Sequence, residues 1–237
     1  MRRRLVIRFA IDGDLRFISH HDTIRLFERA VARADIPVCF TQGFNPRPRL
    51  SLPVPRAVGV ASDDETLLIE IEDAGSPGDA LARLGPHLPA GVRLREAREA
   101  APQERFLPSR VSYRIELTDA EAPIARARID AWKQPGPIVV SRRDHRTGQS
   151  RPIDLRPFLV DVRADARSVI WTQALLSGGT ARPAEIAEAL GLDPPECIHR
   201  IRRIAVAFDA PLAREADAAQ ADSRPSGEPS KGNEIDA

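Results

Sequence analysis

The chain has 237 residues, 42% of them apolar and 29% charged, with a formal net charge of +1; that is enough apolar material for one large core or two smaller ones and excludes a disordered chain. No apolar run approaches the roughly 18 to 20 residues of a membrane span, and Met1-Arg2-Arg3-Arg4 leads into a short alternating segment rather than a signal peptide's apolar stretch, so a cytoplasmic protein without membrane contact is expected. Cys39 and Cys197 are the only cysteines, which excludes a disulfide scaffold, a four-cysteine zinc site and a cysteine-ligated iron–sulfur cluster within this chain.

Arg4 to Ala10 alternates as a strand does, and Ile11-Asp12-Gly13-Asp14 reads as a turn. From Ser19 the apolar residues Ile24, Phe27, Val31 and Ala34 recur at helical spacing, with Ser19 as N-cap and Asp22 three residues on in the manner of a capping box. Val38 to Thr41 reads as a short strand, and the two prolines of Gly43-Phe44-Asn45-Pro46-Arg47-Pro48-Arg49 exclude helix. Leu50 to Val60 and Thr66 to Glu72 are expected as strands, Ser76 to Leu84 as a helix and Val92 to Arg98 as a closing strand. The order β-α-β-β-α-β is that of a ferredoxin-like split βαβ unit.

A second pass follows: strand Arg110 to Leu117, helix Glu121 to Lys133, strand Ile138 to Ser141, a hairpin around Arg146-Thr147-Gly148, then strands near Pro152 to Leu155, Phe158 to Val162 and Val169 to Leu176. Arg182 to Phe208 reads as two short helices, and beyond Pro211 the chain lacks core-forming residues and reads as a disordered acidic tail. The expected fold class is therefore α+β: a first ferredoxin-like half at 1–104, a second, diverged half at 105–180, a helical pair at 181–210 and the tail at 211–237.

The small net charge hides blocks: residues 1–62 sum to +6, residues 63–104 to −6 and residues 105–160 to +5. Arg16, Ser19, His20, His21, Asp22 and Arg25 cluster at a helix start, followed by the loop Gly43, Phe44, Asn45, Arg47 and Arg49. In a split βαβ unit the two segments can share a surface. There the unpaired N–H groups of the helix start, with Arg16, Arg47 and Arg49, would attract phosphate, and Phe44 would offer a face for a base to stack on. Each residue also has a structural reading. Ser19 and Asp22 can serve only as caps, His20 as a hydrogen-bonded structural residue rather than an acid or base, and Phe44 as core. The row Arg25, Arg29, Arg33 at i, i+4 spacing can be a solvated face. His20, His21 and Asp22 are contiguous and cannot all face one ion from a regular helix, so no metal site or cofactor is expected. Arg182 to Leu192, followed by His199, Arg200, Arg202 and Arg203, also has the outline of a helix-turn-helix motif.

Gly13 to Asp22, Phe27-Glu28-Arg29-Ala30 and Thr41 to Pro48, with Ile153-Asp154-Leu155-Arg156-Pro157-Phe158 and Arg182-Pro183-Ala184-Glu185-Ile186 farther on, resemble the radical-SAM-linked protein family. This is a bacterial domain fused to, or encoded beside, B12-binding radical SAM proteins. The resemblance implies a separately encoded radical SAM enzyme as partner and RNA as the substrate class, and it adds Arg156 to the candidate RNA-contacting residues. An accessory protein that binds or presents RNA is the leading expectation. A stand-alone RNA-processing enzyme using His20 as acid or base, and a protein-docking module, are the alternatives. The acidic block from Asp63 to Glu104 is a candidate docking face for the partner.

Overall fold

A computed structural model describes residues 2–72, 75–144 and 147–209. The expected tail at 211–237 and Arg146 of the expected hairpin turn lie outside the described residues.

Strand β1 (Arg2–Ile11) sends Leu5, Ile7, Phe9 and Ile11 to one side, where none is more than 2% exposed. Helix α1 (His20–Arg33) covers that side with Leu26, Phe27, Ala30 and Val31, one face of a 3.6-residue period, and Phe27 meets Phe9 edge-on at 4.7 Å between ring centres. The helix starts at Ser19, whose hydroxyl accepts from the Asp22 amide at 3.1 Å, and it stops where Asp35 takes a positive φ of 50°.

The next stretch departs from expectation. Val38 and Phe40 form isolated bridges rather than a strand, and the strand expected over Leu50–Val60 shrinks to β2 (Leu50–Ser51). Pro53 and Pro55 lack the amides a ladder needs, so the chain leaves the sheet after Ser51. Strand β3 (Ala61–Glu72) starts at Ala61 instead of Thr66, because the carboxylates of Asp63, Asp64 and Glu65 all find arginine partners on neighbouring strands. Helix α2 (Pro77–Leu84), with the Ser76–Asp79 capping box, and strand β4 (Val92–Glu99) complete this half.

The second half holds β5 (Pro108–Glu116), α3 (Glu121–Trp132), β6 (Val139–Arg143), β7 (Ser150–Asp154), β8 (Leu159–Ala164), β9 (Ser168–Ala174), α4 (Pro183–Ala189), a single turn α5 (Pro194–Cys197) and β10 (Ile201–Phe208). The segment expected to end in a second helix thus ends in a strand, and the arginines assigned to a recognition helix lie in or just before β10. Ile201, Arg203 and Val206 face the core there, each at most 8% exposed.

The architecture is a mixed α+β fold around one large, mostly antiparallel sheet ordered β4-β1-β3-β10-β5-β9-β8, with β2 also paired to β3 and β6–β7 forming a separate two-stranded ribbon. Every pairing is antiparallel except β10 with β3, which is parallel over only Arg202↔Ala61 and Arg203↔Ser62. Two apolar clusters lie on either side of that junction, one under α1 and α2, the other under α3 and α4. Among the described residues no helix is long and apolar enough to cross a membrane.

Candidate functional site

The start of α1 is built for local order first. Ser19 donates its hydroxyl to Asp22 Oδ2 at 2.7 Å while accepting from the Asp22 amide, and that hydroxyl holds the exposed Asp22 carboxyl below the usual carboxylate range. Arg25 reaches Asp22 at 3.6 Å from an exposed position. Arg16 is committed elsewhere: its guanidinium donates to the Gly13 carbonyl at 2.9 Å, to Asp12 Oδ1 at 2.8 Å and to the His199 carbonyl. It ties the first half to the turn that leads into β10 and keeps little capacity for a ligand.

Behind His20 lies a charge cluster that the sequence reading missed. His20, Thr23, Arg56 and Glu65, with Phe9, Ile11 and Leu52, line a cavity of about 10 Å³, the scale of one water molecule. Glu65 accepts from Arg203 Nη1 at 2.9 and 3.2 Å, and Arg56 spends its guanidinium on the carbonyls of Arg16 and Val60, at 2.8 and 2.6 Å, and on weaker contacts to Leu15 and Ile18. Burial, then the neighbouring His21, keep the His20 imidazole below its ordinary value, with Arg203 and Arg56 adding to the effect against Glu65. The imidazole is thus favoured neutral, and a cavity this small does not admit a nucleotide. Nothing local in the sequence marks Arg56 or Glu65 for this cluster, because their partners are distant in the chain.

The Gly43–Arg49 segment is the tip of a hairpin braced at its base. The Thr41 amide donates to the Arg47 carbonyl at 2.9 Å, the Arg47 amide to Thr41 Oγ1 at 3.0 Å and the Arg49 amide to the Cys39 carbonyl at 2.8 Å. Gly43 takes a φ of 130°, which any Cβ would strain. Phe44 is 100% exposed, so it is not core, and Asn45 beside it is exposed too. Arg47 is exposed and its side chain makes no ion pair among the described residues, whereas Arg49 is held by Glu70 Oε2 at 3.1 Å and by the Phe40 carbonyl.

The expected shared surface divides in two. His20 sits beside Glu65, while the hairpin base joins β3 at Glu70 and Ile71, about 17 Å farther along that strand. Arg156 lies apart from both, in the second half. Its guanidinium donates to the carbonyls of Trp132, Gln134 and Gly136, at 2.6, 3.0 and 2.8 Å, and so closes the C-terminal end of α3. The acidic block is likewise spent at its start: Asp63 pairs with Arg202 at 2.9 Å, Asp64 with Arg8, and Glu65 with Arg203.

A family model matches residues 4–183, and its description is "Uncharacterized protein conserved in bacteria (DUF2344)". No curated protein matches the chain.

Proposed function

We propose that this chain, which belongs to the bacterial family DUF2344, is an accessory protein that binds RNA and presents it to a separately encoded radical SAM enzyme. The observation that carries the RNA part is Phe44, a whole aromatic ring in solvent on a braced hairpin that also carries, three residues on, an arginine without an ion-pair partner among the described residues. An exposed ring on an ordered turn suits stacking against an unpaired base, and a free guanidinium on the same hairpin suits the adjoining phosphate. His20 serves the helix start in this reading, in keeping with its neutral, confined imidazole.

The partner is inferred from the sequence resemblance, and the cysteine count supports association in trans. A radical SAM cluster takes three cysteine ligands and this chain has two. Strand order supports the finer fold reading: β4-β1-β3-β2 and β10-β5-β9-β8 repeat one antiparallel arrangement, and we read both as ferredoxin-like split βαβ units.

Titration of a fluorescently labelled single-stranded RNA with the full chain tests the proposal. Phe44→Ala should weaken binding by about 1 to 3 kcal/mol, and Arg47→Ala should lower the magnitude of the salt slope by roughly 0.7, the share of one phosphate contact. Wild-type affinity and slope in both variants would remove the hairpin reading. Pull-down of the cognate radical SAM enzyme tests the partner separately.

A further inference from the structure

The motif Arg182–Ile186 and the β6–β7 ribbon are far apart in sequence, and the fold joins them around one buried carboxylate. Glu185 is 5% exposed and accepts two hydrogen bonds from Arg142 of β6, Nε to Oε1 and Nη2 to Oε2, both at 2.6 Å. Arg142 Nη2 also donates to the Thr180 carbonyl at 2.8 Å. The Glu185 carboxylate further accepts the Arg182 amide at 2.8 Å, so its lone pairs are largely committed.

Two more arginines stand at the same place. Arg182 brings its guanidinium only to 3.9 Å from Glu185 Oε1 and leaves half its side chain in solvent. Arg151 pairs directly opposite Arg142 in the ribbon, which puts both side chains on one face of it. Arg151 is exposed and makes no ion pair among the described residues. Like charges directly opposite across a strand pair are unfavourable unless an anion lies between or beside them, and the one carboxylate here is already matched to Arg142. The nearby ribbon carboxylates serve turns: Asp154 accepts the Ile138 and Arg156 amides, at 2.8 and 3.0 Å, and Asp144 the Thr147 amide at 3.1 Å. Among the described residues the cluster therefore holds three guanidiniums against one carboxylate.

We infer that Arg151 and Arg182, positioned by the Arg142–Glu185 pair, form a second phosphate-binding site that takes the RNA backbone away from the Phe44 hairpin. This inference rests on the RNA-binding reading and adds to it a second point of contact, in the other half of the molecule. The two points have equivalent places in the chain. Each hairpin follows the first helix of its half and precedes that half's edge strand, β2 or β8.

The test uses the full chain, labelled single-stranded RNA and a series of salt concentrations, with Arg151→Ala/Arg182→Ala, Arg151→Lys/Arg182→Lys and Phe44→Ala/Arg47→Ala compared with wild type. The first double variant should lose several-fold in affinity and lower the magnitude of the salt slope by about 1.4, two phosphate contacts' worth for a single strand. The lysine variant should keep the wild-type slope. Both positions are exposed, and circular dichroism of each variant checks the fold. Wild-type affinity and slope in the alanine variant, with binding lost in the hairpin variant, would overturn the second site and leave the hairpin reading standing. Loss in the arginine variant with none in the hairpin variant would place the RNA at this site and overturn the hairpin reading. Wild-type protein that binds no RNA removes both.

Discussion

Arg203 of β10 lies 1% exposed beneath the sheet, and its guanidinium reaches Glu65 of β3 at 2.9 Å and the carbonyls of Val54 and Pro55 at 3.2 and 2.6 Å. It also stands 5.8 Å from the centre of the Tyr113 ring, while its Nε has no hydrogen-bond partner among the described residues. The two halves meet at this parallel junction over only two registered residue pairs, so side chains supply much of what the short ladder does not. Arg202, beside it, adds ion pairs to Asp12 and Asp63 at 2.7 and 2.9 Å.

Removing one member of the buried pair should leave the other charge uncompensated. Glu65→Leu or Arg203→Met is expected to cost about 3 to 5 kcal/mol in urea unfolding, and the combined variant should recover much of the loss. Additive losses in the combined variant would show that the pair is not the source. Charge reversal at Asp63, Asp64 and Glu65 should for the same reason unfold the junction before it reports on any docking partner.

Glu121 should dominate one part of the acid response. Its carboxyl is lowered to about 2, first by the Arg200 guanidinium, which donates to both oxygens at 2.7 Å, and then by the Thr118 amide and hydroxyl, against the opposing effect of burial. A carboxyl lowered in the folded state stabilises fully above its unfolded value near 4.5 and loses that contribution as pH falls toward 2. Glu121→Gln should therefore be less stable than wild type at neutral pH, by about 2 to 3 kcal/mol, and the gap should close toward pH 2. A constant gap across that range would contradict the assignment.

His20 shares the preference for the deprotonated form, which for an imidazole is the neutral one. Burial and His21 lower its folded value, so its contribution is complete above the unfolded value, about 6.5, and is lost as pH falls through the folded one. His20→Asn should cost on the order of 1 kcal/mol or less at pH 7.5 and should flatten the decline of stability between pH 7 and 5. An unchanged slope in chemical denaturation would exclude His20 as its source.

Gly91 is a close approach of two loops. At a φ of 98° it accepts the Asp12 amide at 2.8 Å, and a Cβ there would meet the Asp12 carbonyl oxygen at 2.7 Å. Gly91→Ala should cost at least about 1 to 3 kcal/mol, since both the backbone conformation and the contact resist it. Thermal melting within a degree of wild type would mean that this turn relaxes freely.

By itself the sequence determined the local order. The 3.6-residue apolar period with Ser19 and Asp22 marked α1, alternation marked β1, paired prolines kept Gly43–Arg49 out of helix, and α2 and β4 fall where a helix and a closing strand are expected. These signals are complete within a few residues, because capping, periodicity and proline geometry act locally. Only the tertiary structure decided β10, the fate of the arginines and the division of the candidate site. Arg203 in a strand's inward position reads as an error in the pattern until Glu65, 138 residues away in sequence, supplies the counter-charge. Arg16, Arg49, Arg156 and Arg202 look in sequence much like Arg47, Arg151 and Arg182. Distant carbonyls and carboxylates occupy the first four, leave Arg47 and Arg151 to solvent and leave Arg182 half in solvent at the edge of Glu185, since which partner an arginine meets depends on the packing of strands and helices and not on its neighbours in the chain.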